Sequence, residues 1–290
     1  MNIINGLLNY RGFLLQAALA LIVLALAVTA RFPAQIRGYA YGLYREAARV
    51  QAEYKYRNLS TLEGDHIRVK YQERDSKYAA MVLEASEKFY VPVAEKYGLK
   101  TGDKVTVLIY PNKEELNASF GWPSSENAMG VYWAGVIRIL SPGAWVEDKS
   151  PAEMREDFIN LGPMAHELTH LAVDYATRGN CPRWLTEGLA QMEEYHLTGF
   201  RFSYRQGESG GEFYSLGEMD RTFDELPDQA LAYRESLSAV EYIESVYGEG
   251  KLHEIVSLLG SGRSMDQSIT IALGVDPGAF EQNWRKWSGF

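Results

Sequence analysis

The period of hydrophobic and polar positions changes as the chain is followed from its N-terminus. From Phe13 to Ala30 ("FLLQAALALIVLALAVTA") eighteen residues carry no charge, a helix apolar on every side that fits lipid better than the edge of a soluble core. After Pro33, Ile36, Ala40, Leu43, Ala47, Val50 and Tyr54 recur four and three residues apart. This heptad-like seam is too short for an independent coiled coil and predicts a stalk helix within 32–61 that either leans on the following domain or pairs weakly with a second copy. From residue 66 the pattern becomes β-like runs alternating with helices: "HIRVKY" (66–71), a helix across 76–98, then "KVTVLIY" (104–110). "GVYW" (130–133) and "VIRIL" (136–140) flank Ala134-Gly135, which predicts a hairpin. Beyond Pro151 the pattern is helical, with Gly179, Gly248, Gly260 and Gly274 as stops, Asp276-Pro277 as a start and "GESGG" (207–211) as a loop.

These elements make an α+β chain: a membrane segment (1–31), the stalk (32–61) and one domain (62–290). Within that domain a small mixed sheet and a central helix occupy 62–178, and an all-helical subdomain occupies 179–290. The 13–30 segment reads either as an anchor or as a signal peptide cut after "VTA". Arg31, Arg37, Arg45 and Arg49 follow it and only Arg11 precedes it, a count that favours a cytoplasmic body. Large domains often cross regardless of such counts, and an extracytoplasmic, membrane-anchored body is the preferred expectation. The alternatives are secretion after cleavage and a cytoplasm-facing body.

Composition narrows the chemistry. The net charge of −9, with Lys and Arg dispersed, excludes a nucleic-acid footprint, which needs a concentrated basic face. A single cysteine, Cys181, excludes an internal disulfide framework and a Cys-rich zinc site. No glycine-rich phosphate loop follows a strand.

The stretch "PMAHELTHLAVDYATRGNCPRWLTEGLA" (163–190) is where the pattern carries chemistry. On a helix, His166 and His170 project from one side a turn apart, opposite an apolar stripe of Leu161, Met164, Leu168, Leu171, Ala172 and Tyr175. They are therefore expected to face away from the core. Glu187 likewise opposes the stripe of Leu185, Leu189 and Met192, and "RGNCP" (178–182) lets the chain reverse between the two helices. An antiparallel pair would bring Glu187 beside both imidazoles, a His2Glu set with an open fourth position, as in catalytic zinc sites.

His166-Glu167-Leu168-Thr169-His170 followed by Glu187 in "WLTEGLA" resembles the gluzincins, the thermolysin-like zinc metallopeptidases of the peptidase MA clan, and most closely their small peptidase-MA-like domains. The resemblance implies a zincin-like fold, Zn2+ held by His166, His170 and Glu187, and peptide-bond hydrolysis with Glu167 as general base. It implies an oxyanion stabiliser from a later helix, for which Tyr233 is the first choice and His253 and Tyr195 are alternatives. It further implies a peptide or protein substrate lying on a strand edge, here Gly130, Val131, Tyr132 and Trp133. The chain departs from thermolysin at Gln191, where that enzyme has an Asp orienting a histidine; Asp174 is a substitute on the histidine face. A different class of reading remains: an inactive, membrane-tethered domain that retains zinc and holds a peptide without cutting it.

Overall fold

The computed structural model describes residues 33–124, 126–146, 149–201 and 213–289. The membrane segment predicted at 13–30 and the loop at 207–211 lie outside the described residues. Among the described residues no helix is long and apolar enough to cross a membrane.

Helix α1 (Pro33–Lys55) is followed by β1 (Ser60–Glu63) and β2 (Ile67–Tyr71), then α2 (Ser76–Tyr97), β3 (Val105–Tyr110), the short α3 (Lys113–Ala118), and the hairpin strands β4 (Gly130–Trp133) and β5 (Val136–Leu140). Helices then continue to the C-terminus: α4 (Pro151–Leu161), α5 (Met164–Thr177), α6 (Arg183–Thr198), α7 (Leu216–Thr222), α8 (Gln229–Tyr247), α9 (Glu249–Gly260), α10 (Met265–Leu273) and α11 (Pro277–Ser288). The strands form one mixed sheet in the order β1-β2-β3-β5-β4. β2, β3 and β5 run parallel, and β1 and β4 are antiparallel edges.

β3 is buried at every position because both faces of the sheet are covered, so it reads as an unbroken apolar run rather than an alternation. On one face Val107, Ile109, Ile137 and Ile139 meet α2 and α5 in the main core. On the other, Leu108, Tyr110, Val136 and Leu140 form a smaller core with Ala52 of α1 and Leu116 of α3. Each such side chain contributes about 1.5–3 kcal/mol on burial.

The stalk prediction changes in extent. The helix ends at Lys55 and β1 begins at Ser60, inside the region read as stalk. The helix leans on the domain, one of the two arrangements expected: Glu53 pairs with Lys70 at 2.9 Å and accepts a bond from Thr106 at 2.6 Å, and just past the helix end the Tyr56 and Tyr110 hydroxyls bond at 2.7 Å. The predicted seam is left outward, with Leu43, Val50 and Tyr54 exposed. The helix carrying the histidines is likewise shorter than its apolar stripe implied. Gly162-Pro163 separates α4 from α5, so Leu161 belongs to α4 and is exposed. Pro163 removes a donor and disfavours helical geometry at the residue before it.

Candidate metal centre

α5 and α6 pack side by side, and their facing surfaces carry His166, His170 and Glu187. Glu187 Oε2 lies 3.3 Å from His166 Nε2 and 3.4 Å from His170 Nε2. The histidines project from the side of α5 opposite its apolar stripe, as expected, and that side is largely covered, with the His166 side chain 16% exposed. His170, Glu167 and Glu187 are all buried, because α6 and the β4 edge cover that side of α5.

The residues around the three orient each of them. Arg183, one turn before Glu187, bonds its Oε1 at 3.0 Å and leaves Oε2 turned to the imidazoles. Thr186 Oγ1 meets His170 Nδ1 at 2.8 Å, and Glu194 Oε2 lies 3.4 Å from His166 Nδ1. Both rings are thus held through Nδ1 with Nε2 presented inward. Burial alone would push the Glu187 carboxyl up, but Arg183, His170 and His166 outweigh it and hold it well below the usual carboxylate range. Burial likewise opposes protonation of His166, yet Glu187 and Glu194 raise its pKa well above the ordinary imidazole value.

The donor set fits a zinc ion. Glu187 Oε2 is buried and has no hydrogen-bond partner among the described residues, an arrangement costly to leave unmet. Ligands at about 2.0–2.1 Å from a tetrahedral zinc stand roughly 3.3–3.4 Å from one another. Both observed His–Glu separations, 3.3 and 3.4 Å, match that spacing. The ligand atoms of all three residues lie within 4.8 Å of one another.

Glu167 points to the β4 edge and accepts the Tyr132 backbone N–H at 2.6 Å through Oε2. Burial raises its pKa above the ordinary value. Gly130 permits this approach: a Cβ there would stand 2.7 Å from Pro163 Cβ and 2.9 Å from Glu167 Oε1. Gly130 and Tyr132 therefore face α5, whereas Val131 and Trp133 alternate to the other side of the sheet. Gly188, in "WLTEGLA", has a similar duty. A Cβ there would lie 2.3 Å from the Ser236 carbonyl, so α6 and α8 can approach only with glycine at that position.

That approach brings Tyr233, at the start of α8, into the neighbourhood of the centre. Its pKa is raised, first by the Glu187 charge and then by burial, and its ring packs edge-on against Phe223 at 5.4 Å. Gln191 ties the same region together, donating to the Glu187 carbonyl at 3.2 Å and to the Tyr233 carbonyl at 2.9 Å. The two alternatives to Tyr233 sit elsewhere: His253 beside Tyr97, and exposed Tyr195 beside His196.

Asp174 does not orient a ligand. It bonds Arg45 of α1 at 2.8 Å and the Tyr132 hydroxyl at 2.6 Å. Sequence reasoning missed Arg183, Thr186 and Glu194. Arg183 stands four residues before Glu187 and Glu194 seven after it, so both share its helix face, a spacing that could have pointed to them.

The sequence model of the peptidase MA superfamily matches residues 85–289, and the chain belongs to that family. The family is one of peptidase-type hydrolases, typically zinc-dependent, and it includes inactive members. No curated protein matches the chain.

Proposed function

We propose that this protein is a membrane-anchored zinc metallopeptidase of the gluzincin type, with His166, His170 and Glu187 as ligands of Zn2+. The observation that carries the reading is the orphaned Glu187 Oε2 at 3.3 and 3.4 Å from two inward-facing imidazole nitrogens. When bound, zinc supplies Lewis acidity to a water and to a carbonyl oxygen. Glu167 takes the proton as general base. The Tyr132 N–H fixes its Oε2 and leaves Oε1 as the accepting atom. Arg183, Thr186 and Glu194 hold the three ligands in place, the duty of outer partners in metal sites. Tyr233 is the candidate donor to a developing oxyanion, supported by its electrostatic coupling to Glu187 and Glu167.

A peptide or protein substrate would lie on the free edge of β4. Alternation along an antiparallel strand turns the backbone groups of Gly130 and Tyr132 to that edge. With the Tyr132 N–H engaged by Glu167, pairing falls to Gly130 and to the Tyr132 carbonyl. The charge-free 13–30 segment supports anchoring, with the catalytic body on the extracytoplasmic side.

One observation favours the inactive, zinc-retaining peptide-binding domain: Glu167 is buried and already bonded to the strand that would receive substrate. Cleavage of a denatured protein by the purified chain and by Glu167→Gln separates the two readings. The proposal expects a loss of at least a hundredfold in the variant. Equal activity in both would sink the mechanism, and bound zinc with no cleavage by either would favour the binding domain.

A further inference from the structure

The face of the sheet away from the metal centre holds a charge that the catalytic reading leaves unused. In β5, Val136, Arg138 and Leu140 alternate onto the side covered by α1 and α3. Val136 and Leu140 are buried there as the pattern requires, whereas Arg138 places a guanidinium between them. Its Nε and Nη1 are shielded from solvent and have no hydrogen-bond partner among the described residues, and the Phe120 ring lies with its centroid 5.0 Å from Cζ. With those two nitrogens shielded, a carboxylate meets the guanidinium at the end that borders the groove, where the planar group and its fixed positive charge suit a carboxylate.

Arg138 borders a groove of about 490 Å3 between α1 and the β4–β5 hairpin. Along α1 the groove extends from Tyr44 to Lys55, which at 1.5 Å per residue is about 17 Å. Trp122 and Trp133 stand exposed on its other wall, Trp122 stacked on Phe120 at 4.6 Å. Among the described residues no Asp or Glu lines it, and the two ionised side chains that do, Arg138 and Lys55, are both cationic.

We propose that this groove is an exosite for an acidic segment of a peptide chain. The carboxylate of an internal Asp or Glu is received by Arg138, and the neighbouring apolar side chains lie on Trp122, Trp133 and Tyr44. An extended strand of about five residues covers the length at roughly 3.3 Å each, and the chain continues past either end. Trp133 faces this groove while its neighbour Tyr132 faces Glu167, so the exosite and the metal centre lie back to back on one strand. The groove's role in substrate capture rests on the peptidase reading; its capacity to bind does not.

The test is fluorescence anisotropy with full-length Glu167→Gln protein. The probes are a labelled decapeptide carrying two central aspartates flanked by leucines and the same peptide with asparagines. The aspartate peptide is expected to bind at least tenfold more tightly, and Arg138→Gln in the same background should abolish that preference. Trp122→Ala, on the exposed rim, should weaken the aspartate peptide at least fivefold and keeps the test independent of the buried position. Equal binding of the two peptides, or an undiminished preference in Arg138→Gln, overturns the proposal. A chain that prefers the aspartate peptide but cleaves nothing retains the exosite and loses the peptidase reading. A chain that cleaves without the preference loses only the exosite.

Discussion

Asp174 joins three parts of the molecule, and breaking that junction has a calculable effect. Its Oδ2 receives Arg45 Nη1 at 2.8 Å and the Tyr132 hydroxyl at 2.6 Å, and the Tyr132 oxygen in turn accepts the Gly135 N–H at 3.0 Å. The Arg45 guanidinium also lies 3.5 Å from the Tyr175 ring centroid. Exposed ion pairs contribute about 0.2–1 kcal/mol, whereas removing one partner of a buried pair costs about 3–5 kcal/mol. With the two side chains 14% and 12% exposed, this pair falls between those limits. Arg45→Met and Asp174→Asn are each expected to cost about 2 kcal/mol, with a coupling of about 1.5 kcal/mol in a double-mutant cycle read by urea unfolding. Tyr132→Phe should cost about 1–2 kcal/mol, because the Gly135 N–H loses its acceptor. Tyr132 also donates its backbone N–H to Glu167, so these variants should lower kcat more than they raise KM. Arg45 and Asp174 costs that add within about 0.5 kcal/mol would refute the pairing, and an unchanged kcat would refute the link to Glu167.

Three further outcomes follow from the structure. Glu235 is buried with an Oε1 that has no partner among the described residues, and burial raises its pKa from 4.5 to about 8; between those values the unfolded chain ionises while the native one stays protonated, so its contribution to stability falls as pH rises. Glu235→Gln should flatten that slope and raise the melting temperature at pH 8, gaining on the order of 1–3 kcal/mol, and an unchanged pH profile would contradict the assignment. Glu194→Gln should lower zinc affinity about tenfold in competition with a chelator by loosening His166, and an unchanged affinity would show that the 3.4 Å approach does not matter. Gly130→Ala, whose Cβ would stand 2.9 Å from Glu167 Oε1, should reduce activity at least tenfold with zinc content retained; full activity would show that the strand can withdraw freely.

How far the site could be read from sequence depended on the range of the interaction. The His166–His170 spacing is a property of one helix, and the opposing apolar stripes of α5 and α6 carried Glu187 to the same interface, so the convergence of these three side chains was legible. β3 and the β4–β5 hairpin were legible because burial on both faces and a turn with positive φ at Ala134 and Gly135 leave local marks. The groups that hold them in place were not. Glu194 reaches His166 only through the crossing of α5 and α6, and Thr186 meets His170 for the same reason. Asp174 was read from its own helix alone, and its partners come from α1 and β4, distant in sequence. β1 was absorbed into the stalk because "STLE" is too short and half-exposed to show a clear period.

Metal content tests the central claim most directly. The purified chain, dialysed against a weak chelator and assayed by elemental analysis, should retain close to one zinc per chain, and Glu187→Gln and His170→Ala should each reduce that to a small fraction while remaining folded by circular dichroism. Zinc absent from the wild type, or bound equally by folded Glu187→Gln and His170→Ala, would contradict a centre built on these side chains.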